Sequence, residues 1–397
     1  MVNIDNNTSV IEQVNNAKKE FITDGYTMSI GEIISMYKEG ELIIDPDFQR
    51  AFRWSLTQQT RLIESILIGV PLPSIFVYQN KDGKWEVVDG VQRLSTILQF
   101  VGVLIENKKN DDESDESDES DESNESDESN ESDESESNIL KPTILEETKT
   151  LHCLKDMTWK KLPTELQLDF KRTRIEVKII KYLSDKNAKF EVFQRLNWST
   201  ILSGQEYRNA LLVMMNKPFY KWMVKLSKYE NYQNCISLTG KWIEEKYDQE
   251  LVLRLFTFSL FNFKKGKVDD FINESIFYDE DNLFKKIENQ SFDLDSEKKK
   301  FQKTFDLLYK VKNISVFQKK GKGQQFLESY FEAIAIGLYN NIDNYNDDSQ
   351  EDLDMIELKI NSIEEEPNFT GYKTTSGRNS EARIKNVVPF GKLYFKK

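Results

Sequence analysis

The chain has 397 residues and a formal net charge of −14, long enough to bury a sizeable core and to predict two domains. Its two cysteines, Cys153 and Cys235, exclude a disulfide framework and a zinc-ribbon pattern and fit a reducing compartment. No run approaches a membrane-spanning length, and the first residues lack the basic-then-apolar layout of a signal peptide, so a cytoplasmic protein without membrane contact is expected.

Residues 1–28 read as an N-terminal extension. Leu42-Ile43-Ile44 predicts a short apolar strand, and the turn that follows it delivers Gln49 and Arg50. Ser55-Leu56-Thr57-Gln58 has the form of a capping box, with Ser55 as N-cap and Gln58 as its reciprocal partner. The helix it opens carries Leu62, Ile63, Ile66 and Leu67 on one face and stops at Gly69 before Pro71. Ser74–Gln79 and Lys84–Asp89 predict a hairpin around Lys81-Asp82-Gly83.

Asp89-Gly90-Val91-Gln92-Arg93 falls where the second hairpin strand hands over to a helix over Val91–Val101. Gly90 tolerates a positive φ at that junction. The free amides and positive dipole end of the helix favour an anion, typically a phosphate. Asp89 can hold a metal or polarise water, and Arg93 can clamp phosphate oxygens. The motif therefore fits a nucleotide or phosphodiester site. Taken alone, the five residues fit a plain strand–turn–helix junction with a surface arginine better.

An acidic repeat of Asp-Glu-Ser units follows, read as a disordered insertion over 108–138. Its stretch from Asp111 to Asn138 holds 16 Asp and Glu and no Lys or Arg, so the rest of the chain carries about +2. Like charges and the lack of apolar residues keep such a segment from offsetting its ordering entropy. It reads as a solvated spacer, a DNA-mimicking arm or a phosphorylatable segment. Beyond it, Leu162-Pro163-Thr164-Glu165 starts a short helix to about Phe170. Thr173–Ile180 alternates as a strand, and Lys186–Leu196 has helical spacing closed by Asn197. From about Gln205 onward, apolar-periodic runs such as Glu250–Phe261 and Phe301–Val311 predict a helical bundle. Lys264, Lys265 and Lys267 surround one glycine and Lys319, Lys320 and Lys322 another, as solvated or phosphate-contacting loops. Lys373–Arg378, Arg383 and Lys385 form a basic tail.

Three ordered blocks carry a resemblance. They are Pro46-x-Phe48-Gln49-Arg50-x-Phe52-x-Trp54 with Arg61–Pro73, Val88-Asp89-Gly90-Val91-Gln92-Arg93-Leu94, and Phe193–Asn197 with Leu202–Ala210. Together they resemble the N-terminal domain family of GmrSD-type, modification-dependent restriction endonucleases, over about Ser29 to Ala210. The resemblance implies a ParB/sulfiredoxin-like N-terminal domain with a small mixed sheet over 29–107 and 139–203; with the all-α C-terminal domain that the apolar periodicity predicts over 204–397, the chain is expected to be α+β. The resemblance also implies binding and hydrolysis of a nucleoside triphosphate with Mg²⁺, in nucleic-acid metabolism or defence. Asp89, Arg93 and Arg50 are then the catalytic candidates, and Asp89 is the metal ligand. Gln49, Gly90, Gln92, Ser95 and Asn197 would bind the nucleotide. The family's usual motif is Asp-Gly-Gln-Gln-Arg, so Val91 departs from it by an amide.

An HNH nuclease needs histidine as base and metal ligand, and this chain has only His152. An intact HNH domain is therefore not expected; cleavage would fall to a partner nuclease chain or to carboxylates of the N-terminal domain. Three functions stay open: an NTP-binding and hydrolysing regulatory domain, a DNA-binding or DNA-cleaving protein using the same site, and a non-catalytic interaction module.

Overall fold

Five short strands make one mixed sheet, in the order β1-β5-β3-β4-β2. They are β1 (Thr23–Ser29), β2 (Leu42–Ile43), β3 (Ile75–Gln79), β4 (Trp85–Asp89) and β5 (Arg174–Ile180). The computed structural model describes residues 10–15, 22–45, 54–105, 139–181, 192, 195, 204–313, 316–318, 326–371 and 380–397. Gln49, Arg50, Asn197, the acidic insertion, most of the helix expected over Lys186–Leu196, the Lys319 group and Lys373–Arg378 lie outside those residues. The chain divides into two units, Met1–Thr200 and Ile201–Lys397.

In the first unit, β3 and β4 form the expected antiparallel hairpin, and β3 runs parallel to β5 with Ile75 opposite Val177. β1 pairs antiparallel with β5 from Thr23↔Ile180 to Ser29↔Arg174. The sheet thus begins at Thr23, inside the stretch read as an extension. The reason is visible in its residues: Thr23 to Thr27 are all exposed, so the strand carries no apolar alternation to announce itself. Ser29 then caps α1 (Ile30–Lys38) by accepting from the Glu32 N–H. Ile30, Ile33 and Ile34 of that helix are buried.

Ser55 and Gln58 make the full capping box of α2 (Leu56–Leu67), which buries Leu62, Ile63 and Ile66. α3 (Val91–Val101) buries Val91, Leu94, Ile97, Leu98 and Phe100, with Ser95 and Thr96 enclosed among them. Phe100 meets Trp159 and Phe170, the last from α4 (Thr164–Arg172), at ring separations near 5.8 and 5.9 Å. Large buried rings of this kind dominate core energetics.

The chain leaves α3 through an antiparallel bridge between Ile105 and Ile139, the two ends of the acidic insertion. The Leu140 N–H donates to the Leu104 carbonyl at 2.8 Å, closing that base. The returning segment then crosses α2. Thr143 Oγ1 donates to Gln59 Oε1, the Glu146 N–H donates to Thr60 Oγ1, and the Leu151 N–H donates to Glu64 Oε1. Polar side chains on one face of α2 thereby satisfy a stretch that has no sheet partner.

The second unit is mostly helical. Its core elements include α5 (Gly204–Met215), α6 (Tyr247–Leu260), α7 (Leu294–Lys312) and α8 (Ser380–Tyr394). α6 is buried over almost its whole circumference, as a central bundle helix must be. The Phe and Leu strips found in the sequence are bundle core: Phe256, Phe301 and Phe305 are each fully buried.

Candidate functional site: the junction of β4 and α3

Asp89 ends β4 and Gly90 caps α3 with φ 92° and ψ 11°. A side chain at that position would suffer twice. The backbone is left-handed, and a Cβ would stand 2.6 Å from Ile75 Cγ2. Glycine also offers no capping side chain, and none caps the helix. By helix geometry the N–H groups of Val91, Gln92 and Arg93 have no carbonyl partner within α3. The first helical bond runs from the Leu94 N–H to the Gly90 carbonyl.

The motif side chains divide their work. Arg93 Nη2 donates to Asp89 Oδ2 at 2.9 Å, an i,i+4 ion pair at the start of the helix. Its Nη1 donates to the carbonyls of Pro73 and Ser74 in the loop before β3. Its side chain is only 15% exposed. Burial pulls the Arg93 pKa down and the Asp89 carboxylate opposes that shift; the guanidinium stays charged. Arg93 therefore braces the β3–β4–α3 corner, where a solvent-facing clamp was expected. Asp89 keeps its other carboxylate oxygen without a hydrogen-bond partner among the described residues.

Gln92 Oε1 accepts from the Trp54 N–H at 3.2 Å. That bond fixes the amide orientation, because only the oxygen can accept. It also joins the end of the Pro46–Trp54 block to the Asp89–Arg93 block. Gln59 Nε2 donates to the Trp54 carbonyl, so α2 holds the same residue from its other polar group. Among the described residues, Gln92 Nε2 is buried without a hydrogen-bond partner, and so is Ser95 Oγ one turn further on. Residues three apart on a helix share a face, and side chains lean toward the N-terminus. Ser95 thus leans toward the Gln92 turn.

Val91 is 4% exposed and packs in the core. The departure from the family's usual residue is absorbed there, on the side of the helix away from solvent. Among the described residues, no three of His, Cys, Asp and Glu come together as a metal-holding group. His152 is exposed and its Nδ1 stands 2.8 Å from Glu147 Oε1, a surface pair beside the exposed Cys153.

The third sequence block takes a different place. Arg208 and Asn209 lie in α5, fully buried inside the second unit. Arg208 bonds Gln205 Oε1 through Nε and Asp269 Oδ1 through Nη1. Its Nη2 is 3.0 Å from Glu250 Oε2, at an angle that makes an ion contact rather than a hydrogen bond. Glu250 continues to Arg254, Arg254 to Glu332, and Glu332 to Arg383 of α8. Sequence reading missed this chain, since apart from the Glu250–Arg254 pair within α6 its members come from different elements. Only the unusual charge within apolar runs hinted at it.

Residues 30–213 match the family described as GmrSD restriction endonuclease, N-terminal domain. Over that stretch, a little under half of the chain, the protein is similar to that domain of a restriction endonuclease. No curated protein and no solved structure matches the chain. Among the described residues, no helix is long and apolar enough to cross a membrane.

Proposed function

We propose that the first unit binds, and with Mg²⁺ hydrolyses, a nucleoside triphosphate at the start of α3. The observation that carries this reading is a pair of buried polar atoms without a partner among the described residues, Gln92 Nε2 and Ser95 Oγ, beside an uncapped helix N-terminus. Buried polar groups without partners cost about 1–3 kcal/mol each. An anion with several acceptor oxygens would satisfy the helix amides and the Gln92 donor together.

In this proposal the amides of Val91, Gln92 and Arg93 hold phosphate oxygens, and Gln92 and Ser95 add side-chain hydrogen bonds. Gly90 lets the ligand approach the backbone. Asp89 supplies one carboxylate oxygen for Mg²⁺ or for orienting water. Magnesium commonly needs only one or two protein carboxylates when phosphates complete its shell, which suits a site with a single acid. When bound, the ion would neutralise charge on the phosphates. Arg93 is a positioning residue: it holds Asp89 and the Pro73–Ser74 loop in register. Gln49, Arg50 and Asn197 belong to the same proposal on the strength of the family resemblance.

Thermal shift with ATP, GTP, CTP and UTP, each with and without Mg²⁺, tests the binding step. One nucleotide should raise the Tm of the full chain. Gln92→Glu retains an acceptor for the Trp54 N–H but removes the Nε2 donor, so it should keep its own Tm and lose the nucleotide shift. If no nucleotide stabilises the wild-type chain, the reading fails, and salt-dependent DNA retention becomes the measurement to make.

A further inference from the structure

The loop that enters β3 holds Pro71 and Pro73, which have no N–H to tie it down. Side chains from two other elements grip its last residues. Arg93 of α3 donates to the Pro73 and Ser74 carbonyls. From the other side, Ser74 Oγ donates to Glu176 Oε2 of β5. The parallel pairing that sets Ile75 opposite Val177 places Ser74 and Glu176 level with each other, one step earlier on each strand.

Glu176 alternates with the buried Ile175 and Val177, so it stands on the outer face of the sheet. Lys178, two residues on, shares that face, and its Nζ is ion-paired with Glu176 Oε1. The Lys178 ammonium and the Ser74 hydroxyl hold the Glu176 carboxyl below the usual carboxylate range. Both Glu176 oxygens thus carry a bond, which makes this acid a holder of the loop. Asp89 differs: one oxygen accepts from Arg93 Nη2, and the other has no hydrogen-bond partner among the described residues. A line of contacts runs from Lys178 through Glu176, Ser74 and Arg93 to Asp89, and its ionised members alternate in charge.

We propose, resting on the nucleotide reading of the β4–α3 junction, that Glu176 is a positioning residue for Asp89, acting through Ser74 and Arg93. A guanidinium is a rigid planar fork. A shift of the Pro73–Ser74 carbonyls therefore moves Nη1 and Nη2 together, and with them the point at which Asp89 is gripped. Glu176 steadies those carbonyls from a strand that contributes nothing to the Asp89–Arg93 motif. In the nucleotide reading, the open Asp89 oxygen is the one offered to Mg²⁺. Glu176 thus acts on the metal requirement of the reaction rather than on affinity for the nucleotide.

Mg²⁺ titration of phosphate release by the full-length chain, with ATP, GTP, CTP and UTP in turn, tests this. Glu176→Ala and Ser74→Ala should each raise the Mg²⁺ concentration for half-maximal release about fivefold, the worth of one hydrogen bond. The nucleotide KM at saturating Mg²⁺ should stay unchanged in both. The double variant should do no more than either alone, because each removes the same bond. Glu176→Gln keeps an acceptor for the Ser74 hydroxyl and should restore the wild-type Mg²⁺ requirement. A purely structural loss would lower Tm and the maximal rate and leave the Mg²⁺ midpoint where it was. A midpoint unmoved in both alanine variants, or moved as far in Glu176→Gln, overturns this proposal alone. A wild-type chain that releases phosphate from no nucleotide overturns it together with the function it rests on.

Discussion

Arg93 shows how far a motif can be read without its surroundings. The strand before Asp89 and the helix after Val91 are written in local patterning, and Gly90 stands where a left-handed φ is needed. The direction of the Arg93 side chain is not local. It is set by the Pro73 and Ser74 carbonyls, about twenty residues earlier in the chain. A brace and a clamp predict different results for Arg93→Ala. Removing the guanidinium leaves Asp89 and two carbonyls without their donor, so the variant should lose about 1–3 kcal/mol of stability. Denaturant unfolding measures this, and a variant as stable as wild type would show that the brace contributes nothing. The same reasoning explains why Val91 was misleading in sequence: a motif position reads as ligand-facing until burial shows that it faces the core.

At the level of elements, the segments with strong local signals emerged where their sequences place them. α2 carries its capping box, the hairpin turns at Gly83, and α3 spans Val91–Val101 as its apolar spacing predicts. β1 did not announce itself, because an exposed edge strand needs no apolar alternation; its partner β5, with Ile175, Val177 and Ile179 buried, did. The Ile105↔Ile139 bridge was equally invisible in sequence, since it joins residues across the whole acidic repeat. It has a direct consequence. With both ends of the insertion held together, replacing residues 106–138 by a four-residue turn only shortens a loop. Loop-closure entropy then predicts a gain of at most about 2 kcal/mol and no loss of fold. A drop in the unfolding midpoint of the shortened chain would mean that the insertion makes stabilising contacts.

On the scale of the whole molecule, two units of different chemistry share one chain. The first holds, among its described residues, two unpartnered polar atoms at one helix start, and the second encloses a chain of charges from Asp269 through Arg208, Glu250, Arg254 and Glu332 to Arg383. Removing one partner of a buried ion pair leaves the other uncompensated, at about 3–5 kcal/mol. Glu328, beside Arg254 and Arg383, reports on this cluster through pH. Burial opposes its ionisation, but the two arginines and the Tyr247 hydroxyl hold its carboxyl below the usual range. A lowered folded value means stability that is full above the unfolded value of about 4.3 and is lost as pH falls through the folded one. Burial instead pushes the Glu332 carboxyl up, against Arg383 and Arg254, so its own contribution runs the other way, largest in acid. Glu328→Gln should therefore be less stable than wild type at pH 7, with the difference shrinking below about pH 4. A difference that stays constant with pH would contradict the ionic role.

The central claim is that the junction of β4 and α3 turns over a nucleoside triphosphate. The most direct measurement is Mg²⁺-dependent phosphate release by the purified full-length chain, alongside Asp89→Asn and Gln92→Glu. Release that requires Mg²⁺ and falls by about tenfold or more in both variants, while Gln92→Glu keeps its Tm and Asp89→Asn stays folded at the assay temperature, is the predicted result. Release that is absent with every nucleotide, or unchanged in both variants, would contradict it.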